Sequence, residues 1–232
     1  MQKFYKNKNN LELRLNKIYK EIISGDCKGC GKCCSESVGA SFVEAANIYV
    51  YLHENKLFTK ELLEQIMKYY LDLYKVRNKC PFLDEYKRCI LYDVRPLNCR
   101  LYGHWTKVDY ESNLLRLKNE AIKTSENLKE EGYLIPKDYV DFQIPYCTDF
   151  IGEKYSLSQR AILYDQLIKI DSQFIIDNNL NIEYEDKGIV EHIAGFLFNT
   201  SKIDMLRKQN KISAKLKKRL VRLAGLIKLK EL

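Results

Sequence analysis

The chain has 232 residues, of which 46% are hydrophobic and 30% charged, with a formal net charge of +8 and eight cysteines. That balance is ordinary for a folded globular chain and excludes a collagen-like or low-complexity one. No apolar run approaches the roughly eighteen residues that a membrane-crossing helix needs.

The first segment, MQKFYKNKNNLELRLNKIYKEII, is polar and then amphipathic, without the apolar core and small-residue cleavage site of a secretory signal. The expected compartment is therefore the cytoplasm, where thiols stay reduced. Leu11, Leu15, Ile18 and Ile22 share one face of a first helix, which Ser24-Gly25 stops. Next comes CKGCGKCC, with Cys27, Cys30, Cys33 and Cys34 in a single loop. Ser41-Phe-Val-Glu44 is a capping box that opens a second helix through about Leu52. Residues 59–76 repeat Leu62, Ile66, Tyr69 or Tyr70, and Leu73 at helical spacing.

Short strands are expected around Cys89–Tyr92 and Val140–Ile144, and Asp93-Val-Arg-Pro96 can cap a short helix. Further helices are predicted over 110–130, ending at Gly132, and over 157–176, 185–199 and 211–230. The fold class is mainly α: an irregular helical domain organised around a multi-cysteine metal centre, with at most a few short strands. The expected division is a cysteine-cluster metal-binding domain, 1–152, and a helical extension, 153–232, ending in a basic amphipathic helix.

The charge is concentrated at that end. From Lys202 onward there are eleven Lys or Arg against Asp204 and Glu231, so the preceding residues are close to neutral. Ile212, Leu216, Leu220, Leu223 and Ile227 form an apolar stripe among these cations. Such a stripe favours packing of the helix against the body. Attachment to an acidic partner, an anionic membrane surface or nucleic acid is the alternative.

The thiols carry the chemistry. In a reducing compartment, and with the adjacent pair Cys33–Cys34, a disulfide framework is disfavoured. The spacing Cys27–Cys30–Cys33 wraps three thiolates around a small volume, as in bacterial ferredoxins, where a remote cysteine before proline completes the cluster. Cys80-Pro81 is such a dipeptide. Cys80, Cys89, Cys99 and Cys147 are single and widely spaced, unlike the paired knuckles of a zinc ribbon. Eight thiolates exceed one tetrahedral site; they fit two four-ligand sites, or a cluster plus a mononuclear metal. The plainer alternative is that some are buried apolar cysteines, Cys147 first among them.

CKGCGKCC followed by CPFLDEYKRCILYDVRPLNCRLYG (80–103) resembles the CxxCxxCC cysteine-cluster family of the YkgJ type. The matching residues are Cys27, Cys30, Gly31, Cys33, Cys34, Cys80, Pro81, Phe82, Leu83, Cys89, Tyr92, Arg95, Pro96, Cys99, Arg100 and Tyr102. The later family cysteine would be Cys147, where Thr148 and Asp149 replace a CPGIG-like turn. The resemblance spans about residues 27–152 and leaves 157–232 uncovered. It implies zinc or iron chelation, with some members labelled iron–sulfur proteins of the 4Fe-4S kind. It also implies a candidate activity, because flagellin lysine N-methylases, thought to use S-adenosylmethionine, belong to the family.

Arg95 and Arg100 flank Cys99 and are the candidate cofactor-binding residues. Guanidinium donors near a thiolate cluster offset its negative charge and tune its potential; gripping a cosubstrate carboxylate is the alternative. Tyr92 and Tyr102 are expected to pack, and His104 to cap or face solvent rather than ligate. No catalytic residue is assignable, and no GxGxxG, P-loop or Ser-His-Asp pattern is present. The leading expectation is an iron–sulfur protein acting as an enzyme on a protein or peptide, with S-adenosylmethionine-dependent lysine N-methylation as the named reaction. The rivals are a zinc-stapled interaction protein and a metal chelator or carrier.

Overall fold

The stretch Phe42–Glu54 explains the architecture. Val43, Ala46, Ile48, Val50 and Leu52 point to different sides of one helix, yet each is fully buried. A helix apolar all round must be covered all round, and this one is central. The computed structural model describes residues 2–73, 75, 78–130, 132, 135–180, 187–198, 200–208 and 211–227. Among them are helices α1 (Gln2–Lys6), α2 (Lys8–Glu21), α3 (Phe42–Glu54), α4 (Lys60–Leu71), α5 (Leu97–Leu101) and α6 (Lys107–Glu130). Then follow α7 (Lys137–Val140), α8 (Leu157–Asp177), α9 (Ile189–Leu197), α10 (Ser201–Lys208) and α11 (Ala214–Ala224).

The α-rich reading holds, and no strand occurs among the described residues. The two strand expectations are corrected. Around Cys89 there is one isolated bridge, Leu83 to Cys89, and residues 92–94 form a 3₁₀ turn. Residues 137–140 are the short helix α7 and the chain beyond it is irregular. Isolated stretches of four or five residues have no partner strand to satisfy their backbone groups, so apolar alternation alone does not make a sheet.

Around α3 pack α2, α8 and α9, and α4 lies against α9. The predicted face Leu11, Leu15 and Ile18 of α2 is buried against α8, which contributes Leu163, Leu167, Ile170 and Phe174 to the same core. The start of α3 is held twice. Ser41 and Glu44 form the predicted capping box, with Ser41 Oγ accepting from Glu44 N at 3.3 Å and Glu44 Oε2 accepting from Ser41 N at 3.0 Å. Asp171 of α8, itself buried, accepts from Val43 N at 2.8 Å, placing a carboxylate at the helix N-terminus.

α4 ends at Leu71, short of the expected 76; residues 74 and 76 lie outside the described residues. Likewise α9 is shorter than 185–199, of which 185, 186 and 199 are not described, and α11 is shorter than 211–230, of which 228–230 are not described. The tail packs on α4, as the apolar stripe implied, burying Ala224 against Met67 and Leu71. Of the expected stripe Ile212 and Leu220 pack there, joined by Val221 and Ala224, while Leu223 is half exposed. Lys217 pairs with Asp72, and Gly225 passes so close to α4 that an added Cβ would stand 2.6 Å from Glu64 Oε1. α6 has no buried residue and packs against α7. No helix among the described residues is long and apolar enough to cross a membrane.

His192 of α9 sits in this core with its Nε2 3.1 Å from the Ala40 carbonyl, so the neutral imidazole donates there. Burial lowers its pKa from 6.5 to about 4. The native state therefore favours the uncharged ring: that stability is complete above about pH 6.5 and is lost as pH falls toward 4. We expect urea unfolding free energy to drop by about 2 kcal/mol from this group between pH 7.5 and 5. His192→Gln should flatten that part of the profile.

Candidate metal centre

The loop after α2 carries its cysteines on a backbone that glycine permits. Gly29 and Gly31 have φ of +61° and +70°, left-handed values that cost a side-chain-bearing residue about 1–2 kcal/mol. From Gly31 the chain enters the 3₁₀ turn Lys32–Ser35, which turns Cys33 and Cys34 inward. Cys80 N donates to Cys34 O at 2.9 Å, joining the CPFL segment to this turn. The bridge between Leu83 and Cys89 folds 80–90 back on itself, with Asp84 accepting from Tyr86 N and Arg88 N at 2.9 and 2.8 Å to close the reversal. Pro96 then serves as the N-cap of α5, which delivers Cys99.

All eight predicted thiols line one cavity of about 390 Å³. Cys27 and Cys30 are exposed and the other six are half-buried. Among the described residues, however, no three Cys, His, Asp or Glu side chains stand close enough together to ligate a single ion. Cys33 Sγ and Cys34 Sγ stand 4.0 Å apart. At roughly 30 Å³ per water molecule the cavity would hold about a dozen, more room than one tetrahedral ion with its four sulfurs at about 2.3 Å requires.

Apart from its thiols the wall is cationic, carrying Lys28, Lys32, Lys87, Arg88 and Arg95 against Glu36 and Asp149. Burial pushes the Cys80 thiol up to about 12, and raises Cys89 and, further, Cys99. The negative charge each would carry opposes the others, because Cys33, Cys80 and Cys89 all act on Cys99. Cys33 goes the other way, to about 7, because Cys34 donates to it and Arg95 lies near; the same contact raises Cys34. Four or more thiolates here would need a metal to deprotonate and neutralise them. The donor set is sulfur, with Arg95 as a fixed countercharge, and that is the chemistry of zinc or iron–sulfur binding.

The two arginines part company. Arg95 lines the cavity, its guanidinium 3.6 Å above the Tyr92 ring and its Nε donating to Tyr92 O at 2.9 Å. Its charge favours the thiolates of Cys33, Cys89 and Cys99. Arg100 is not part of the cavity wall. It donates to Arg95 O at 2.8 Å and Asp93 O at 2.6 Å, and lies 4.1 Å above the Tyr19 ring. Arg100 thus fixes the backbone that presents Arg95. We expect Arg95→Ala to keep the fold and lose about 10–100-fold in metal affinity, measured by chelator competition. Arg100→Ala should instead lose about 2 kcal/mol of stability.

Tyr102 donates to Pro145 O at 2.5 Å, and Tyr92 stacks under Arg95; neither hydroxyl has a sulfur partner. The expectation of a capping or solvent-facing His104 is corrected. It is 3% exposed, with Nδ1 2.7 Å from Glu153 O and the ring stacked 4.9 Å from Tyr155.

Three features escaped sequence reasoning. Lys32 Nζ lies 2.9 Å from Asp149 Oδ2, so the departure from the family turn after Cys147 supplies a clasp to the cysteine loop. Glu44, seen in the sequence only as a cap, is 2% exposed and also accepts from Leu97 N at 2.6 Å and Tyr19 Oη at 2.9 Å. The third is Phe150, whose ring fills the space left by Gly25, Gly103 and Gly152; Cβ atoms there would meet it at 2.1, 2.5 and 2.7 Å. Three glycines beside three cysteine segments were the available signal. We expect Gly103→Ala to cost about 1–3 kcal/mol, since a ring wedged between backbones cannot swing aside. Gly195→Ala, where nothing lies within 4 Å on the exposed side of α9, should stabilise by about 0.5–1 kcal/mol. Denaturation of both variants checks the contrast.

Residues 26–128 match the family model for CxxCxxCC, described as "Putative zinc- or iron-chelating domain". The matched segment covers less than half of the chain. It contains seven of the eight cavity cysteines, and Cys147 lies beyond it. The chain is also 35% identical over 96 residues to an uncharacterized protein of Methanocaldococcus jannaschii, covering 39% of this chain and 50% of that protein. The chain thus spans about half the length of the curated relative it matches. No solved structure matches it.

Proposed function

We propose that the protein binds metal through the cysteine cavity, and that the resident group is an iron–sulfur cluster rather than a single zinc ion. The observation that carries this reading is the cavity itself: eight thiols, the Arg95 guanidinium beside them and about 390 Å³. A zinc staple needs four thiolates and closes tightly around one ion. A polynuclear centre uses both the surplus donors and the volume. When bound, the cluster would supply electron transfer or Lewis acidity at an iron. The chain's own residues hold it through cysteines drawn from Cys27, Cys30, Cys33, Cys34, Cys80, Cys89, Cys99 and Cys147. Arg95 offsets their charge, and Arg100 holds Arg95 in place.

The test is anaerobic purification followed by iron, sulfide and zinc analysis and an absorption spectrum. Brown protein with matching iron and sulfide is the expected result. Colourless protein carrying zinc alone would replace the cluster by the structural staple. Methyl transfer from S-adenosylmethionine to a lysine-bearing protein or peptide is the finer proposal. It rests on the family resemblance alone, and calorimetric titration of the loaded protein with S-adenosylmethionine tests it. Saturable binding that perturbs the cluster spectrum supports it, and no binding rejects it.

A further inference from the structure

Helix α11 has two opposite faces, and only one of them meets the body. Leu220, Val221 and Ala224 pack with Met67 and Leu71 of α4, and Lys217 on that side pairs with Asp72. At about 100° per residue, Lys215, Lys218, Arg219 and Arg222 lie within about 100° of one another, centred opposite Ala224. All four are exposed. Among the described residues none of them pairs with a carboxylate. The sequence explains why: between Asp204 and Glu231 there are ten Lys or Arg and no acid. Like charges three and four residues apart oppose a helix, so an anionic surface laid on this face would relieve them.

The same face ends in apolar side chains. Leu223, one turn after Arg219, is 49% exposed, and Leu226 is 62% exposed. Leu226 N donates to Leu223 O at 3.1 Å, so the chain keeps turning past the last helical residue and Leu226 follows Arg222 by four positions. The support is fixed at both ends. Ser213 Oγ accepts from Leu216 N at 3.2 Å as the N-cap, and Gly225 passes against Glu64 and Lys60 of α4. The cations are therefore held on a preformed surface, and binding need not first order the helix.

We propose that this face of α11 docks on an anionic lipid bilayer, with Lys215, Lys218, Arg219 and Arg222 against the headgroups and Leu223 and Leu226 reaching the acyl boundary. Charge complementarity selects an anionic surface, and the leucines select lipid among such surfaces. A nucleic-acid backbone would leave both leucines in water, and α11 has no aromatic side chain to stack on a base. Because the main apolar stripe of the helix is already buried on α4, insertion is shallow and electrostatic attraction carries the binding. Each cation near the surface contributes about fivefold in partitioning. The attachment is reversible and is weakened by salt, which screens exposed charges. It does not depend on what the cysteine cavity holds.

The test is sedimentation of the full-length chain with phosphatidylcholine vesicles, with and without phosphatidylglycerol. Binding to the mixed vesicles should be at least about tenfold tighter than to phosphatidylcholine alone, and high salt should abolish it. Lys218→Ala/Arg222→Ala should lower it about 25-fold. Both positions are exposed, so helicity and melting should stay those of the parent, which circular dichroism checks. Leu223→Ser/Leu226→Ser keeps every charge and should still weaken binding about fivefold or more. Equal binding to the two vesicle types, no binding to either, or an alanine variant that binds as tightly as the parent overturns the proposal. Unchanged binding by the serine variant overturns the seating of the leucines in lipid. Capture of a DNA or RNA duplex by the parent and the serine variant alike, without vesicle binding, assigns the face to nucleic acid and rejects lipid. Metal-loaded and metal-free chains should bind the vesicles equally, so failure here leaves the metal reading standing, and the reverse holds too.

Discussion

Replacing Glu44 with alanine should destabilise the protein by about 3–5 kcal/mol, a large part of the 5–15 kcal/mol available to a typical domain. The carboxylate accepts from Ser41 N, Leu97 N and Tyr19 Oη, and the site is buried. Burial raises its pKa despite those bonds, so the group is held at a cost that its partners must offset. Alanine leaves three donors without an acceptor, each costing roughly 1–3 kcal/mol where water cannot reach. With about 2–4 °C per kcal/mol for a chain of this size, the melting temperature should fall by roughly 6–20 °C. The loss is not confined to α3. Leu97 N opens the helix that carries Cys99, and Tyr19 supports the Arg100 that holds the carbonyls of Asp93 and Arg95. Metal affinity should therefore fall together with stability. A variant within about 1 kcal/mol of the parent by urea denaturation, binding metal as tightly, would remove Glu44 from this linkage.

Glu44 also shows where sequence reading succeeds and stops. Its role as a cap is local, set by a residue three positions away, and Ser41-Phe-Val-Glu44 displays it openly. Its contacts with Tyr19 and Leu97 join residues 25 and 53 positions apart, and no local pattern encodes those. The same division runs through the molecule. Helices α2, α3, α4, α6 and α8 are legible because apolar spacing and capping residues are short-range signals. The register of α11 is not, because Leu223 and Ala224 both fit an apolar stripe. Only the close pass of Gly225 beside Glu64 and the Lys217–Asp72 pair select between them. At the site, the eight cysteines and Arg95 were readable as a set, and the structure gathers them around one cavity. The arrangement of Cys147 was not, since the bridge Asp26–Ile151 and the wedge of Phe150 between Gly25, Gly103 and Gly152 connect three distant segments.

The second large effect expected is metal-linked stability. A ligand that binds only the folded state adds about 4 kcal/mol when its free concentration is a thousand times Kd. For this chain that is a rise of roughly 8–16 °C in melting temperature on loading, reversed by a chelator. Helices α2, α3, α4, α8 and α9 supply most of the hydrophobic core, to which Phe82, Leu91 and Leu97 of the cysteine segments add. The metal-free chain should thus remain helical and melt cooperatively, only at lower temperature. The pH dependence follows from the thiols. Cys80, Cys89 and Cys99 are held protonated by burial, Cys80 with a pKa of about 12, so each must release its proton to ligate. Every proton displaced weakens apparent affinity by about tenfold per unit fall in pH. The loading-induced shift should therefore shrink steadily from pH 8.5 to pH 6, in the same window where His192 begins to cost stability on its own. His192→Gln separates the two, because it removes the imidazole and leaves every thiol in place. In that variant the loading shift should keep its pH slope while the metal-free baseline flattens. A loading shift independent of pH would mean that the bound metal displaces no protons from cysteine, and the thiols would not be its ligands.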